Sequence, residues 1–186
     1  MLLAGDVGGT KIFLGLFARD GARPKAIEVR SYRTLDFPDL GSVCLHFLRE
    51  TSTTPHLIEA AGFGVAGPIT GARAHLTNVP WIVDLDALQS EVAIPRAYLL
   101  NDLEALAWSI PVLTPDEIDV VHDGQADACG NVALIAAGTG LGMALLPNGA
   151  VWPLVVVRVE VALPAVLDAQ PLVSTSKLPL LSKLPE

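Results

Sequence analysis

Cysteine is nearly absent from this chain: Cys44 and Cys129 are its only two, far apart and without metal-ligand spacing. That disfavours a disulfide framework and a structural zinc site, and makes a reducing cytoplasm the expected compartment. Basic clusters are lacking too. Twelve Lys and Arg stand against twenty Asp and Glu, a formal net charge of −8 at pH 7. This balance repels a polyanionic backbone and argues against a nucleic-acid partner. The opening MLLAGDVGG lacks the basic region, apolar core and small-residue cleavage site of a secretory signal. The apolar stretch from Val151 to Leu167 is broken by Pro153, Arg158, Glu160 and Pro164, which suits a buried strand better than a membrane span. His46, His56, His75 and His122 form no local cluster. What is present is apolar substance: 51% hydrophobic and 17% charged residues over 186 positions, enough for a good-sized folded core.

The patterning along the chain is that of an α/β protein. Leu2 to Val7 and Ile12 to Phe17 read as a strand pair joined by Gly8-Gly9-Thr10, and Ala26 to Tyr32 as a third strand. The period then changes. Leu40, Val43, Cys44, Phe47 and Leu48 form the apolar stripe of an amphipathic helix, with Pro38 and Asp39 at its start. Ile58 to Val65 is expected as a strand, with Gly71 to Leu76 as its partner beyond Gly67-Pro68. Asp84 is placed to cap a helix running to about Val92. Ala97 to Leu100 reads as a strand delivering Asn101 and Asp102, followed by a helix from Leu103 to Ile110 that Pro111 stops. Val132 to Ala136 and Leu141 to Leu146 make a further strand pair around Gly138-Thr139-Gly140. The mixed order of elements predicts a partly antiparallel sheet, and the two glycine turns suggest two related lobes facing one cleft.

Three segments could carry chemistry. In Asp6-Val7-Gly8-Gly9-Thr10-Lys11 the glycines allow backbone N–H groups to approach an anion closely, with Thr10 as a hydroxyl donor and Lys11 as a positive charge. Asp6 could hold a magnesium ion directly or through water; a polar hairpin turn is the alternative. The segment is not a Walker loop, since GxxxxGK[ST] and the following helix are missing. Gly138-Thr139-Gly140-Leu141-Gly142 offers a second such turn, and two amide-lined turns could clasp adjacent phosphoryl groups. Asn101-Asp102 places a carboxylate at a strand end and helix start, where it could accept a hydroxyl proton or merely cap the helix. Asn101 and Glu104 also have capping-box spacing. Thr77, Asn78 and Trp81 could line a polar pocket, or form an Asx turn beside a packed indole.

Taken together, DVGGTK at 6–11, GVAGPITG at 64–71, LTNVPW at 76–81, LLNDLEALAWSIP at 99–111 and AAGTGLG at 136–142 resemble the bacterial glucokinase family. That family lies within the ribonuclease H-like fold class of sugar kinases, actin and heat-shock ATPases. The resemblance covers roughly residues 1–148. It implies a small α/β lobe over 1–110 with the first phosphate loop and the catalytic aspartate, and the start of a large lobe with the second phosphate loop over 111–148. It further implies ATP-dependent phosphorylation of the glucose 6-hydroxyl, with ATP and Mg2+ in the cleft and homodimers in the complete fold. Asp102 matches the general base, and Asn101 and Asn78 match sugar-site residues. Asp6 matches the aspartate that organises magnesium. Gly8, Gly9, Thr10 and Lys11 belong to the first phosphate loop, and Gly138, Thr139, Gly140 and Gly142 to the second.

Residues 149–186 depart from this pattern, with no counterpart of the family's Glu-Gly-Gly-His segment or its later sugar and adenosine residues. They read as a divergent tail with the look of a truncated or frame-shifted ending. The expectation is a chain that is inactive or severely impaired on its own, with an apolar patch exposed on the small lobe. The alternative is a non-catalytic fragment that binds sugar, nucleotide or a partner.

Overall fold

The computed structural model describes residues 1–21, 23–76, 79–122, 124, 130–137, 141–146 and 157–159. Asn78, Gly138, Thr139 and Gly140 lie outside the described residues. The chain divides into two compact units, Met1–Leu106 and Ala107–Glu186.

In the first unit, β1 (Leu2–Val7), β2 (Lys11–Ala18) and β3 (Lys25–Arg33) form an antiparallel meander. After α1 (Leu40–Glu50), β4 (Ala60–Val65) pairs parallel with β1. Beyond α2 (Leu85–Val92), β8 (Ala97–Asn101) pairs parallel with β4 and leads directly into α3 (Asp102–Ser109). The sheet order is therefore β3-β2-β1-β4-β8. The three parallel strands end at one edge, with Val7 opposite Val65 and Val65 opposite Asn101.

Alternation along the strands sends Leu3 and Val7 of β1, Leu14 and Leu16 of β2, and Phe63 and Val65 of β4 into one core. The α1 stripe covers that core: Leu40, Val43, Cys44, Phe47 and Leu48 are all buried. Each such side chain contributes about 1.5–3 kcal/mol relative to exposure. Burial pushes the Cys44 thiol up, so it remains protonated packing material. The Asp39 carboxylate caps α1, accepting from the Ser42 N–H at 2.7 Å. Asp84 caps α2, accepting from the Asp86 and Ala87 N–H groups at 3.1 and 3.2 Å.

One expected pairing does not occur. Gly71 to Leu76 is not the partner of β4, both of whose edges are already occupied by β1 and β8. Instead β5 (Ile69–Thr70), β6 (Arg73–His75) and β7 (Ile82–Asp84) make a small antiparallel sheet of their own. Three boundaries also shift. Ile58 is buried ahead of β4, behind a 3-10 turn at Pro55–Leu57. Asp102 is the first residue of α3 and not its predecessor, and α3 ends at Ser109, where Ile110–Val112 continues as a 3-10 turn around Pro111. On the sheet face away from α1, Tyr98 is exposed and a Cβ added to Gly62 would meet nothing within 4 Å.

In the second unit, β9 (Val132–Ala137), β10 (Leu141–Leu146) and β11 (Val157–Val159) form an antiparallel sheet in the order β11-β10-β9. Ala107, Ala144 and Leu146 are buried together, with Ile110 and Leu134 packed against them. Among the described residues no helix is long and apolar enough to cross a membrane.

Candidate functional site

The carboxyl edge of β1, β4 and β8 collects the chemistry of the first unit, as open α/β sheets generally do. Asp6 lies on β1 in the alternation opposite to Leu3 and Val7, so its side chain leaves the α1 core and keeps some contact with solvent. Its register partner on β4 is Gly64, and the partner of Gly64 on β8 is Leu100. Because Gly64 carries no side chain, the first turn of α3 sits directly on the strand. A Cβ there would be 3.1 Å from the Ala105 Cβ and 3.9 Å from the Asp102 Cα. Asp102, the first residue of α3, thus faces Asp6 across a bare glycine. Partial burial, and then the neighbouring Asp102 charge, raise the Asp6 carboxyl above its ordinary value.

A raised Asp6 carboxyl with Asp102 beside it suits a cation near the pair. Among the described residues no group of three or more His, Cys, Asp and Glu could hold a metal. Asp6 and Asp102 would offer a magnesium ion the one or two carboxylates it takes, with water and substrate phosphate completing its shell.

Beside Asp6, the Gly8 N–H donates to the Lys11 carbonyl at 3.0 Å, which closes the turn between β1 and β2. A Cβ on Gly8 would lie 3.0 Å from that same backbone oxygen, so a side chain at this position would force the turn open. Among the described residues the N–H groups of Gly9 and Thr10 have no acceptor. Thr10 and Lys11 are exposed. The Thr34 hydroxyl donates to the Gly8 carbonyl at 2.8 Å, and the Thr34 N–H to the Thr10 carbonyl at 3.0 Å.

The Asn101 amide is tied on both sides. Its Nδ2 donates to the Gly67 carbonyl at 3.2 Å, and its Oδ1 accepts from the Leu103 N–H at 3.1 Å. The Leu103 N–H also reaches the Asp102 Oδ1 at 2.9 Å. Gly67 in turn lies against β6, where a Cβ would collide with the His75 carbonyl. Asn101 thereby links the end of β8, the start of α3 and the connection after β4.

Asp6, Gly8, Gly9, Thr10, Lys11, Asn101 and Asp102 are thus brought to one edge of one sheet. Gly142 lies in the second unit within β10, opposite Ala136 and Arg158. Trp81 is buried in the first-unit core, the packed-indole alternative for that residue. Sequence reasoning passed over Thr34, whose partner is 26 positions away, and quoted Gly64 only as part of a motif. A glycine inside an apolar strand was the one available signal for the latter.

The glucokinase family model matches residues 3–160. Among curated relatives, the glucokinase of Nostoc punctiforme is 39% identical over 147 residues, covering 78% of this chain and 42% of that protein. The glucokinase of Colwellia psychrerythraea is 32% identical over 146 residues, covering 78% of this chain and 43% of that protein. This chain therefore spans less than half the length of the curated relatives it matches. A crystal structure of glucokinase from an Antarctic psychrotroph superposes with a TM-score of 0.71 at 29% identity, covering 90% of this chain and 53% of that one. A ROK family glucokinase from Streptomyces griseus, in complex with glucose and AMPPNP, shares the fold with a TM-score of 0.54 at 23% identity, covering 81% and 46%. The sheet order and these superpositions place the chain in the actin-like ATPase fold of sugar kinases.

Proposed function

From the premise that this chain belongs to the glucokinase family, we propose that it carries the acceptor-activating and first phosphate-binding half of an ATP-dependent glucose kinase. One observation carries the reading. The Asp6 and Asp102 carboxylates interact across Gly64 at the sheet edge where the Gly8–Lys11 turn leaves two N–H groups without acceptors.

In the proposed reaction the glucose O6–H gives its proton to an Asp102 carboxylate oxygen. O6 forms a bond to the γ-phosphorus while the bond from that phosphorus to the β,γ-bridging oxygen breaks, leaving ADP. The N–H groups of Gly9 and Thr10, with the Lys11 ammonium, meet the phosphate charge; Gly138, Thr139, Gly140 and Gly142 are assigned to the second phosphate turn. Magnesium near Asp6 would supply charge neutralisation on the phosphates. Asn101 presents its amide to sugar hydroxyls while bound to Gly67 and Leu103, and Asn78 is assigned to the same pocket. Residues 1–110 form the small lobe and 111–148 begin the large one, a reading that the division into Met1–Leu106 and Ala107–Glu186 supports.

A second reading is that residues 1–186 bind ligand but turn over little or nothing by themselves. Calorimetry with glucose and with Mg-ATP separately, followed by a coupled assay for glucose 6-phosphate, decides between them. The proposal expects binding of at least one ligand. Any turnover should fall by about 10²–10⁴-fold in Asp102→Asn, the contribution of a positioned general base. Binding of neither ligand, or turnover equal in parent and Asp102→Asn, overturns the assignment.

A further inference from the structure

Thr34 is the one polar residue fully buried among the described residues. A buried hydroxyl is costly unless it is bonded, and this one is spent on the Gly8–Lys11 turn. The register that pairs Lys11 with Arg33 brings residue 34 alongside residue 10 as β3 ends. There the chain tightens into a 3-10 turn over Thr34–Asp36. From that position the Thr34 hydroxyl holds the Gly8 carbonyl at 2.8 Å, and its N–H holds the Thr10 carbonyl at 3.0 Å.

The consequence follows from peptide geometry. In a trans peptide the C=O and the next N–H point in opposite directions, and the chain has no cis peptides among its described residues. Drawing the Gly8 carbonyl inward to Thr34 therefore turns the Gly9 N–H outward, away from the core. Without that tie, Gly8 and Gly9 have the conformational freedom to flip this peptide and present a carbonyl oxygen, which repels an anion.

We infer that Thr34 is the positioning residue of the first phosphate turn, holding the Gly8–Gly9 peptide so that its N–H and not its carbonyl faces the ligand. The inference rests on the proposed phosphate-binding role of that turn. Thr34 does not touch the ligand; it acts through the Gly8 carbonyl. Both the hydroxyl and the N–H take part, and only the hydroxyl is removable by substitution with a residue of the same shape.

Thr34→Val keeps the shape and the N–H bond to Thr10 while deleting the hydroxyl; Thr34→Ser restores it. Amide exchange at Gly8, whose N–H is bonded to Lys11, reports the turn without any ligand. Chemical shifts of Gly8–Lys11 on titration with Mg-ATP report phosphate binding. With one hydrogen bond worth about a factor of ten, Thr34→Val should speed Gly8 exchange and weaken Mg-ATP binding each by about tenfold, and Thr34→Ser should stay within about twofold of the parent. Parent-like behaviour of Thr34→Val in both measurements overturns the role of Thr34. A Thr34→Ser chain that loosens the turn about tenfold overturns it as well, even if Thr34→Val fails to fold. No Mg-ATP shift at the turn in the parent overturns the phosphate reading beneath the inference, a result the ligand-free exchange rates keep separate.

Discussion

At Gly64 a hydrogen atom stands where any other residue would place a carbon, and the site depends on that substitution of nothing for something. A Cβ would come within 3.1 Å of the Ala105 Cβ, an atom fixed to the α3 backbone that cannot rotate away. Gly64→Ala should therefore lift the first turn of α3, displace Asp102 from Asp6, and destabilise the fold by about 1–3 kcal/mol. Gly62→Ala, two residues earlier on the same strand and meeting nothing within 4 Å, should stay within about 0.5 kcal/mol of the parent. Thermal unfolding of the pair checks this, and equal losses at both positions would contradict the packing argument. The residue types at this scale were partly legible. Asp6, the paired glycines and Asp102 stand in segments whose composition allows phosphate binding or proton transfer, with a polar turn or a helix cap as the alternative. Thr34 and Gly64 do not, because a hydroxyl or a missing Cβ acquires its role only from what lies across from it.

Helices and their ends were the most readable elements. The stripe from Leu40 to Leu48 is the buried face of α1, and Asp39 and Asp84 cap the helices they precede. Periodicity and capping are local, so sequence alone carries them. The end of α2 is less favourable: Ala93 holds the left-handed conformation at φ 56°. Ala93→Gly should relieve that strain and raise stability by about 0.5–1 kcal/mol in denaturant unfolding. Between α1 and β3, Glu50 accepts from the Tyr32 hydroxyl at 2.6 Å and pairs with Arg30 at 3.1 Å, with His46 at 3.5 Å. The Tyr32 hydrogen bond first, and then Arg30 and His46, hold the Glu50 carboxyl below its ordinary value of 4.5. A lowered carboxyl stabilises the fold above that ordinary value and loses its contribution as pH falls through the lowered one. Tyr32→Phe, which keeps the ring packed on Phe37 and Phe47, should move the Glu50 midpoint upward in a carbon-13 titration. Its melting temperature should lie below the parent's at neutral pH, and the gap should close in acid; a gap independent of pH would contradict the assignment. The element misread from sequence was the β5–β7 sheet. Nothing in residues 71–76 reveals that β4 already has a parallel partner on each side.

Across the whole chain, the first unit has a continuous core running from Leu3 to Ala97, whereas the second shows only Ala107, Ala144 and Leu146 buried among its described residues. A piece comprising residues 1–110 should therefore unfold cooperatively by itself, with a midpoint within about 8 °C of the intact chain, roughly what 1 kcal/mol is worth at this size. Loss of any cooperative transition in calorimetry would show that the first unit leans on the second. Alternation, helical period, caps and glycine-rich turns depend on neighbours a few positions apart, and so the amino-acid order alone determined the strands of the main sheet, the helices beside them and the residue types at their ends. The strand order β3-β2-β1-β4-β8, the meeting of Asp6 with Asp102 over Gly64, and the hold of Thr34 on Gly8 were settled by folding. Each joins residues that are remote in the chain, and only parallel pairing of β1, β4 and β8 brings their ends to a single edge.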